Sequence, residues 1–290
     1  PIACSTRTRI LEIKVFSSFS KTGKTGSGTV SRVLWYNLCM PRITRIDIGN
    51  YCYHIINRAN ARLAIFFKEE DYLLFEEVLE EAKEKFSMRI LAYILMPNHF
   101  HLVVYPINDG DMARFMQWLT LTHTQRWHQV KKTRGTGHLY QGRYKSFIIE
   151  KDNHLFAVIQ YVERNALRAK IVKKVENWQF CSLWRRLYGN HTQKNMLSEW
   201  PISEPKDYLS FVNTPQTKEE EGYIRKSVVK GKPYGSDLWT SKVIKRFGLE
   251  STVRSMGRPR NGTWPRFPSE FKKNGLLPKK NTKNLMGAIR

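Results

Sequence analysis

Two apolar, strand-like runs on either side of a short turn constrain the fold of this chain more than any other feature. Residues 88–95 and 99–105 are rich in β-branched, aliphatic and aromatic side chains, and Met96-Pro97-Asn98 between them is a typical turn sequence. The two runs therefore predict an antiparallel hairpin. A further strand-like run at 51–57 precedes them, and another at 144–150 follows.

Segments with helical periodicity lie between these strands and after the last one. Residues 69–86, 111–130 and 152–168 each repeat apolar side chains at intervals of three and four, which places them on one face of a helix. The order strand, helix, strand, strand, helix, strand, helix predicts an α+β fold: an antiparallel sheet with helices packed on one side of it. A shorter helix is predicted at 237–247, ended by Gly248.

Composition divides the chain into three parts. Residues 1–39 are rich in Ser, Thr and Gly without a sustained period, so we expect a disordered or dispensable upstream extension, with Met40 as the natural start. Residues 40–188 form the predicted domain. Residues 189–290 form a basic C-terminal region, and its last part, 254–290, carries ten basic residues and one acid.

The charge balance indicates a polyanionic partner. Lys and Arg total 49 against 25 Asp and Glu, a formal net charge of +24. No run of 18 apolar residues predicts a membrane-spanning helix, and no long basic amphipathic helix favours a membrane surface. Nucleic acid is therefore the expected partner. The four cysteines have no paired spacing, which is typical of free thiols in a reducing cytoplasm.

The pair His99 and His101 is the sharpest chemical feature. On a strand, side chains two residues apart share a face, so both imidazoles can chelate one metal ion while Phe100 anchors the strand in the core. The same pattern also occurs in ordinary strand histidines without a metal.

A tyrosine and an amide share one face of the third predicted helix. Tyr161 and Asn165 are one turn apart, and Arg164 and Arg168 on the same edge suit a surface that faces phosphate. The alternative is a solvated helix edge without catalytic function.

Basic residues interleaved with aromatic ones follow the second helix. Such a segment can hold single-stranded nucleic acid, with cations on phosphates and rings stacked on bases, although it could also be a solvated loop. A second basic segment, Gly257-Arg-Pro-Arg260, could lie in a minor groove or bind phosphates without reading sequence. The candidate nucleic-acid-binding residues are Lys131, Lys132, Arg134, Tyr140, Arg143, Lys145, Arg258 and Arg260.

Three motifs together resemble one family. They are Leu95-Met-Pro-Asn-His-Phe-His-Leu-Val-Val104, His138-Leu-Tyr-Gln-Gly-Arg-Tyr-Lys-Ser146 and Tyr161-Val-Glu-Arg-Asn-Ala-Leu-Arg-Ala169. In this order they resemble the REP-associated tyrosine transposases, members of the HUH superfamily of single-strand DNA transposases and nickases. The resemblance covers residues 40–188 and, more loosely, 233–239 and 257–260. It implies a ferredoxin-like palm, the antiparallel sheet of HUH nucleases.

The resemblance also implies roles for individual residues. His99 and His101 would bind Mg²⁺ or Mn²⁺, with Asn165 as the third ligand. Tyr161 would be the nucleophile, giving a 5′-phosphotyrosine and a free 3′-hydroxyl. The substrate would be single-stranded DNA that folds into a hairpin. The family's Arg-Gly-Asn is Arg58-Ala-Asn60 here, and its Asn-Pro is Asn165-Ala166, but neither change removes a catalytic group.

Two other functions stay open at this point. The protein could be a catalytically silent DNA- or RNA-binding regulator with the same fold, or an unrelated metallohydrolase in which water attacks small phosphodiesters. The assembly could be a monomer or a homodimer, and the short connection at 150–152 favours a monomer with its site in cis. We expect a cytoplasmic location.

Overall fold

A computed structural model describes residues 45–254, and a four-stranded antiparallel sheet lies at its centre. The strands pair in the order β2-β3-β1-β4, and β2 and β3 form the predicted hairpin. Their bounds are Cys52–Arg58 for β1, Arg89–Met96 for β2, His99–Tyr105 for β3 and Lys145–Ile149 for β4. The expected α+β class with an antiparallel sheet is confirmed.

Two long helices cover one face of the sheet. They are α1 (Glu69–Phe86) and α2 (Asp111–Lys131), and both begin and end within a few residues of the predicted helices. Their apolar stripes pack with Phe100 and other strand residues into one buried cluster. Removing this apolar surface from water is the main favourable contribution to holding the layers together.

A third helix covers the opposite face, so the expectation that the helices lie on one side only is wrong. α3 (Asn153–Glu163) packs with Val103 and neighbouring side chains into a second buried cluster. The physical reason is that the central strands are apolar at consecutive positions, and successive strand side chains point to opposite faces. Both faces of β3 therefore carry apolar side chains, which must pack against helices to be buried.

The predicted helix at 152–168 divides into two. α3 ends at Glu163 with Arg164 as its C-cap, and a single further turn, α4 (Asn165–Arg168), follows it. The side chain of Asp152 accepts a hydrogen bond from the backbone N–H of His154 and thereby caps the start of α3.

The chain after the sheet is more helical than its sequence predicts. After α5 (Ser182–Tyr188), the segment 189–236 holds α6 (His191–Asn195), α7 (Tyr208–Asn213) and α8 (Lys218–Lys230). No helix was expected there, because short helices between Pro and Gly carry little periodicity. The helix predicted at 237–247 is present as α9 (Asp237–Phe247), ended by Gly248 with φ 64°.

Side chains from beyond residue 188 complete the second core cluster. Tyr208, Val212 and Ile224 are buried in it together with α3. The domain boundary at 188 remains a prediction. The proposed extension at 1–39 and the candidate residues Arg258 and Arg260 lie outside the described residues.

Two further observations concern cysteines and membranes. Cys52 and Cys181 are buried free thiols. Within residues 45–254, none of the helices combines the length and the apolarity that crossing a membrane requires.

Candidate active site

Strand β3 places His99 and His101 on the sheet face that α3 covers. Phe100 between them points to the opposite face, where it is fully buried with its ring centroid 4.7 Å from that of Phe75. The two imidazole centroids are 5.1 Å apart. The strand therefore presents both rings side by side, as the alternation of strand side chains requires.

Each of these histidines uses its Nδ1 in a contact within the protein. Nδ1 of His99 lies 2.6 Å from Oδ1 of Asn98, and Nδ1 of His101 lies 2.8 Å from Nε2 of His54. Histidines that bind metals commonly make such a bond with the ring nitrogen that does not face the metal. The remaining Nε2 atoms of His99 and His101 are thus a donor pair that fits a divalent ion.

Burial keeps both candidate ligands neutral. Loss of hydration, helped by the nearby charge of Arg58, lowers the pKa of His99 to about 4. Burial also holds the pKa of His101 well below its ordinary value, with His54 and His99 adding to the effect. At neutral pH the two rings therefore carry lone pairs that can bind a metal.

Helix α3 brings Tyr161 against this pair. The Tyr161 ring lies edge-on to the ring of His101, with centroids 6.3 Å apart and planes at 80°. The guanidinium carbon of Arg168 lies 4.0 Å from the centroid of the Tyr161 ring. Tyr161 is only 7% exposed, so it does not lie on a solvated helix edge.

Asn165 lies one turn beyond the tyrosine and has its amide fixed by three hydrogen bonds. Its Nδ2 donates to the backbone carbonyl oxygens of Tyr161 (3.2 Å) and Val162 (3.0 Å). Its Oδ1 accepts from Nη2 of Arg168 at 2.7 Å. No described contact joins Asn165 to either histidine, so its role as a third metal ligand stays a prediction.

His54 is not among the site residues predicted from the sequence. This residue is a polar side chain in the apolar run at 51–57, and its position in β1 has the parity that places it on the α3 face. Arg168 was recognised only as part of a phosphate-facing edge, whereas it contacts both Tyr161 and Asn165. The available sequence signal for His54 was a polar residue within an apolar strand, and this signal does not identify His101 as its neighbour.

The basic segment after α2 divides into exposed cations and residues engaged within the protein. Lys131 forms a 2.7 Å ion pair with Asp71. Tyr140 is buried, and its hydroxyl lies 2.7 Å from Nδ1 of His123, so its ring belongs to the core in this structure. The exposed candidates are Lys132, Arg134, Arg143 and Lys145.

A cleft of about 810 Å³ lies between α2 and this segment. It is lined by Asn57, whose β1 position pairs with Phe100, so the cleft is on the sheet face opposite the histidine pair. Arg45 contributes to its rim, with its guanidinium carbon 4.0 Å from the centroid of the Tyr144 ring. Cations and hydrogen-bonding side chains therefore also line the sheet on the side away from Tyr161.

Glu150, Asp152 and His154 form an acidic cluster at the start of α3, within 4.8 Å of one another. Asp152 caps the helix, and Glu150 accepts a hydrogen bond from the backbone N–H of Ser236 at 2.6 Å. These bonds give the cluster a structural role in joining α3 and α9 to the sheet.

Comparison with known proteins gives one family. Residues 47–165 match the family described as transposase IS200 like, and this span includes His99, His101, Tyr161 and Asn165. A search of curated protein sequences gave no match.

Three solved structures are similar to parts of this chain. One is a REP-associated tyrosine transposase bound to a REP hairpin, 14% identical with a TM-score of 0.44, covering 62% of this chain and 100% of that one. Another is a candidate transposase from Deinococcus radiodurans R1, 17% identical with a TM-score of 0.31, covering 47% and 97%. A third is the tRNA(His) guanylyltransferase of Saccharomyces cerevisiae, 11% identical with a TM-score of 0.31, covering 57% and 86%. By this family match, residues 47–165 of the chain are an IS200-like transposase domain.

Proposed function

We propose that this protein is a metal-dependent single-stranded DNA endonuclease and strand-transfer enzyme. It cuts and rejoins hairpin DNA through a 5′-phosphotyrosine intermediate. The observation that carries the proposal is the contact between Tyr161 and His101. A phenol and a pair of neutral imidazoles, distant in sequence, share one site, in which Tyr161 and His101 are buried and His99 is partly exposed, inside a transposase-family domain.

Tyr161 is the nucleophile in this proposal. Its phenolic oxygen attacks the phosphorus of the scissile phosphodiester, an O–P bond to the tyrosine forms, and the bond from phosphorus to the 3′ oxygen breaks. The proton lost by the phenol is balanced by the proton that the 3′ oxygen gains. The phosphotyrosine bond conserves the energy of the broken phosphodiester, so rejoining needs no ATP.

The chain's own residues define where a metal would be held. The Nε2 atoms of His99 and His101 would bind Mg²⁺ or Mn²⁺, and Asn165 would supply an amide oxygen as the third ligand. A divalent ion there would polarise a non-bridging phosphate oxygen and reduce the charge that repels attack. Arg168, held against the Tyr161 ring, adds a fixed positive charge beside the reacting phosphate.

The charge of the chain supports DNA as the substrate. The exposed cations of the segment after α2, together with Arg258 and Arg260, would contact phosphates. Unpaired DNA fits better than a stiff duplex, because the strand must bend to bring one phosphate to Tyr161. The proposed hairpin places this single strand beside a short stem.

One chain supplies the histidines and the tyrosine of the site. This arrangement favours a monomer that works in cis over a homodimer that exchanges α3. The location proposed for the enzyme is the cytoplasm.

Covalent capture of DNA tests the proposal. We expect the full chain, incubated with end-labelled hairpin DNA and Mn²⁺, to form a covalent adduct that survives denaturing gel electrophoresis. Tyr161→Phe should abolish the adduct while DNA binding in a gel-shift assay persists. Tyr188→Phe, which alters an exposed tyrosine, is the matched control and should behave as the wild type.

The same experiment separates the alternatives. Undiminished adduct in Tyr161→Phe would remove Tyr161 from the nucleophile's role. Binding without metal-dependent cleavage across many hairpins would favour a catalytically silent regulator of DNA or RNA. Cleavage that resists Tyr161→Phe but is lost in His99→Ala would indicate a metallohydrolase that uses water.

A further inference from the structure

A third histidine lies beside the two candidate ligands. His54 of β1 is completely buried, and its Nε2 is 2.8 Å from Nδ1 of His101. The two rings have centroids 5.0 Å apart and planes at 45°. Phe147 of β4 packs against the His54 ring, with centroids 4.9 Å apart. Packing therefore fixes the position of His54, and its Nδ1 has no hydrogen-bond partner among the described residues.

The short contact between the rings requires one proton between two nitrogens. A neutral imidazole has one N–H and one bare nitrogen, so two neutral rings can share the bond in two ways. If Nδ1 of His101 donates, its Nε2 is bare and can bind a metal. If Nε2 of His54 donates, the proton of His101 is on Nε2, and that nitrogen can bind no metal. The direction of this hydrogen bond thus decides whether His101 can be a ligand.

His99 shows which direction suits a ligand. Its Nδ1 lies 2.6 Å from the amide oxygen of Asn98, and an amide oxygen can only accept a hydrogen bond. His99 therefore carries its proton on Nδ1 and leaves Nε2 bare. Nε2 of His54 lies beside Nδ1 of His101, just as Oδ1 of Asn98 lies beside Nδ1 of His99.

We propose that His54 is a positioning residue that accepts the Nδ1–H of His101 and so holds Nε2 of His101 bare and turned to the metal position. This inference rests on the proposed function, because it assigns His54 a role toward the proposed metal site. His54 itself does not touch the metal or the DNA. The His54 ring sets the tautomer and the ring plane of His101, which would bind the metal.

The tautomer of His101 in the metal-free full chain is the first test. Long-range ¹H–¹⁵N NMR correlations distinguish the two neutral tautomers of histidine, and His101→Gln identifies the relevant signals by their loss. We expect the Nδ1–H tautomer at His101. The Nε2–H tautomer would overturn the inference, whether or not the protein binds a metal.

Metal affinity is the second test, measured as free Mn²⁺ by electron paramagnetic resonance during titration of the full chain. His54→Phe keeps a ring against Phe147 but cannot accept the bond, and we expect it to weaken Mn²⁺ binding by about 10-fold or more. His54→Gln offers an amide oxygen near the position of Nε2 and should restore most of the affinity. Thermal unfolding followed by circular dichroism shows whether each variant is folded.

These outcomes separate this inference from the proposed function. Wild-type affinity in His54→Phe would overturn the positioning role. Equally absent Mn²⁺ binding in the wild type and in His99→Ala would overturn the metal site of the proposed function, and the His101 tautomer would still decide the role of His54. If His54→Phe does not fold, the tautomer in the wild type and the affinity of His54→Gln decide it.

Discussion

The ring of Tyr161 lies edge-on to the imidazole of His101, with the two centroids 6.3 Å apart. His101 comes from the middle of the sheet, and Tyr161 comes from a helix that begins only after the last strand. The contact exists because α3 packs over the face of β3 that carries the histidines. The chemistry proposed for this protein therefore depends on tertiary packing.

Arg168 should be required for full activity. Its Nη2 holds Oδ1 of Asn165 at 2.7 Å, and its guanidinium stacks on Tyr161. Arg168→Met keeps much of the side-chain length but removes the charge and the hydrogen bonds. We expect the rate of covalent adduct formation on hairpin DNA to fall by about 10- to 100-fold, as for other residues that orient a ligand.

Arg225 offers the matched control for that experiment. Glu221 of α8 lies 3.7 Å from Arg168 and 2.7 Å from Arg225, but Arg225 is largely exposed. Arg225→Met should leave the rate of adduct formation unchanged, since exposed ion pairs contribute little. Equal rates in Arg168→Met and the wild type would contradict the orienting role.

Much of the fold could be predicted from the sequence, because the hairpin and the long helices have strong local periodicity. The pair His99 and His101 follows from the strand alternation alone. The burial of Tyr161 could not be predicted in this way, because it depends on α3 packing over the sheet and on Arg168 stacking on its ring. His54 was missed because nothing local in β1 shows that it faces His101.

The exposed cations after α2 should contribute more to DNA binding than Lys131, which is paired with Asp71. Arg143→Ala and Lys145→Ala each remove an exposed charge, so we expect weaker binding of single-stranded DNA and a smaller salt dependence, by about one unit in the slope of log K against log salt. Lys131→Ala should have a smaller effect, because Lys131 is already paired with Asp71. Fluorescence anisotropy at several salt concentrations measures both quantities. A larger loss in Lys131→Ala than in Arg143→Ala would contradict this ranking.

A buried ion pair joins α1 to α5. Helix α1 lies within the span of the family match, and α5 lies beyond it. Both side chains of Glu76 and Arg185 are buried, with Nε of Arg185 3.1 Å from Oε1 of Glu76, and the hydroxyl of Tyr93 donates to the same carboxylate at 2.6 Å. Arg185→Met leaves a buried carboxylate without its cation and should lower the free energy of unfolding by about 3 kcal/mol.

The double variant Glu76→Gln with Arg185→Met should recover part of that stability, because no buried charge is left unpaired. Urea unfolding followed by circular dichroism measures both variants. A single transition in the wild type would show that α5 unfolds together with the sheet. A double variant no more stable than Arg185→Met would contradict the argument from the unpaired charge.

His123 should make the stability of the protein depend on pH. Burial lowers the pKa of His123 to about 3, whereas an exposed histidine in the unfolded chain titrates near 6.5. As the pH falls below about 6.5, the unfolded chain takes up a proton that the folded chain does not, so the folded state loses stability. From pH 7 to pH 5 this one group accounts for a loss of about 2 kcal/mol.

His123→Asn isolates that contribution. The asparagine amide can still bond to the hydroxyl of Tyr140, which lies 2.7 Å from Nδ1 of His123, but it does not titrate. The other buried histidines are present in both proteins, so their effects cancel when the two are compared. We therefore expect the free energy of unfolding, measured in urea, to fall less steeply between pH 7 and pH 5 in His123→Asn than in the wild type, by about 2 kcal/mol. Parallel pH profiles would mean that His123 already takes up its proton in the folded state, and its burial would then not exclude the charged form.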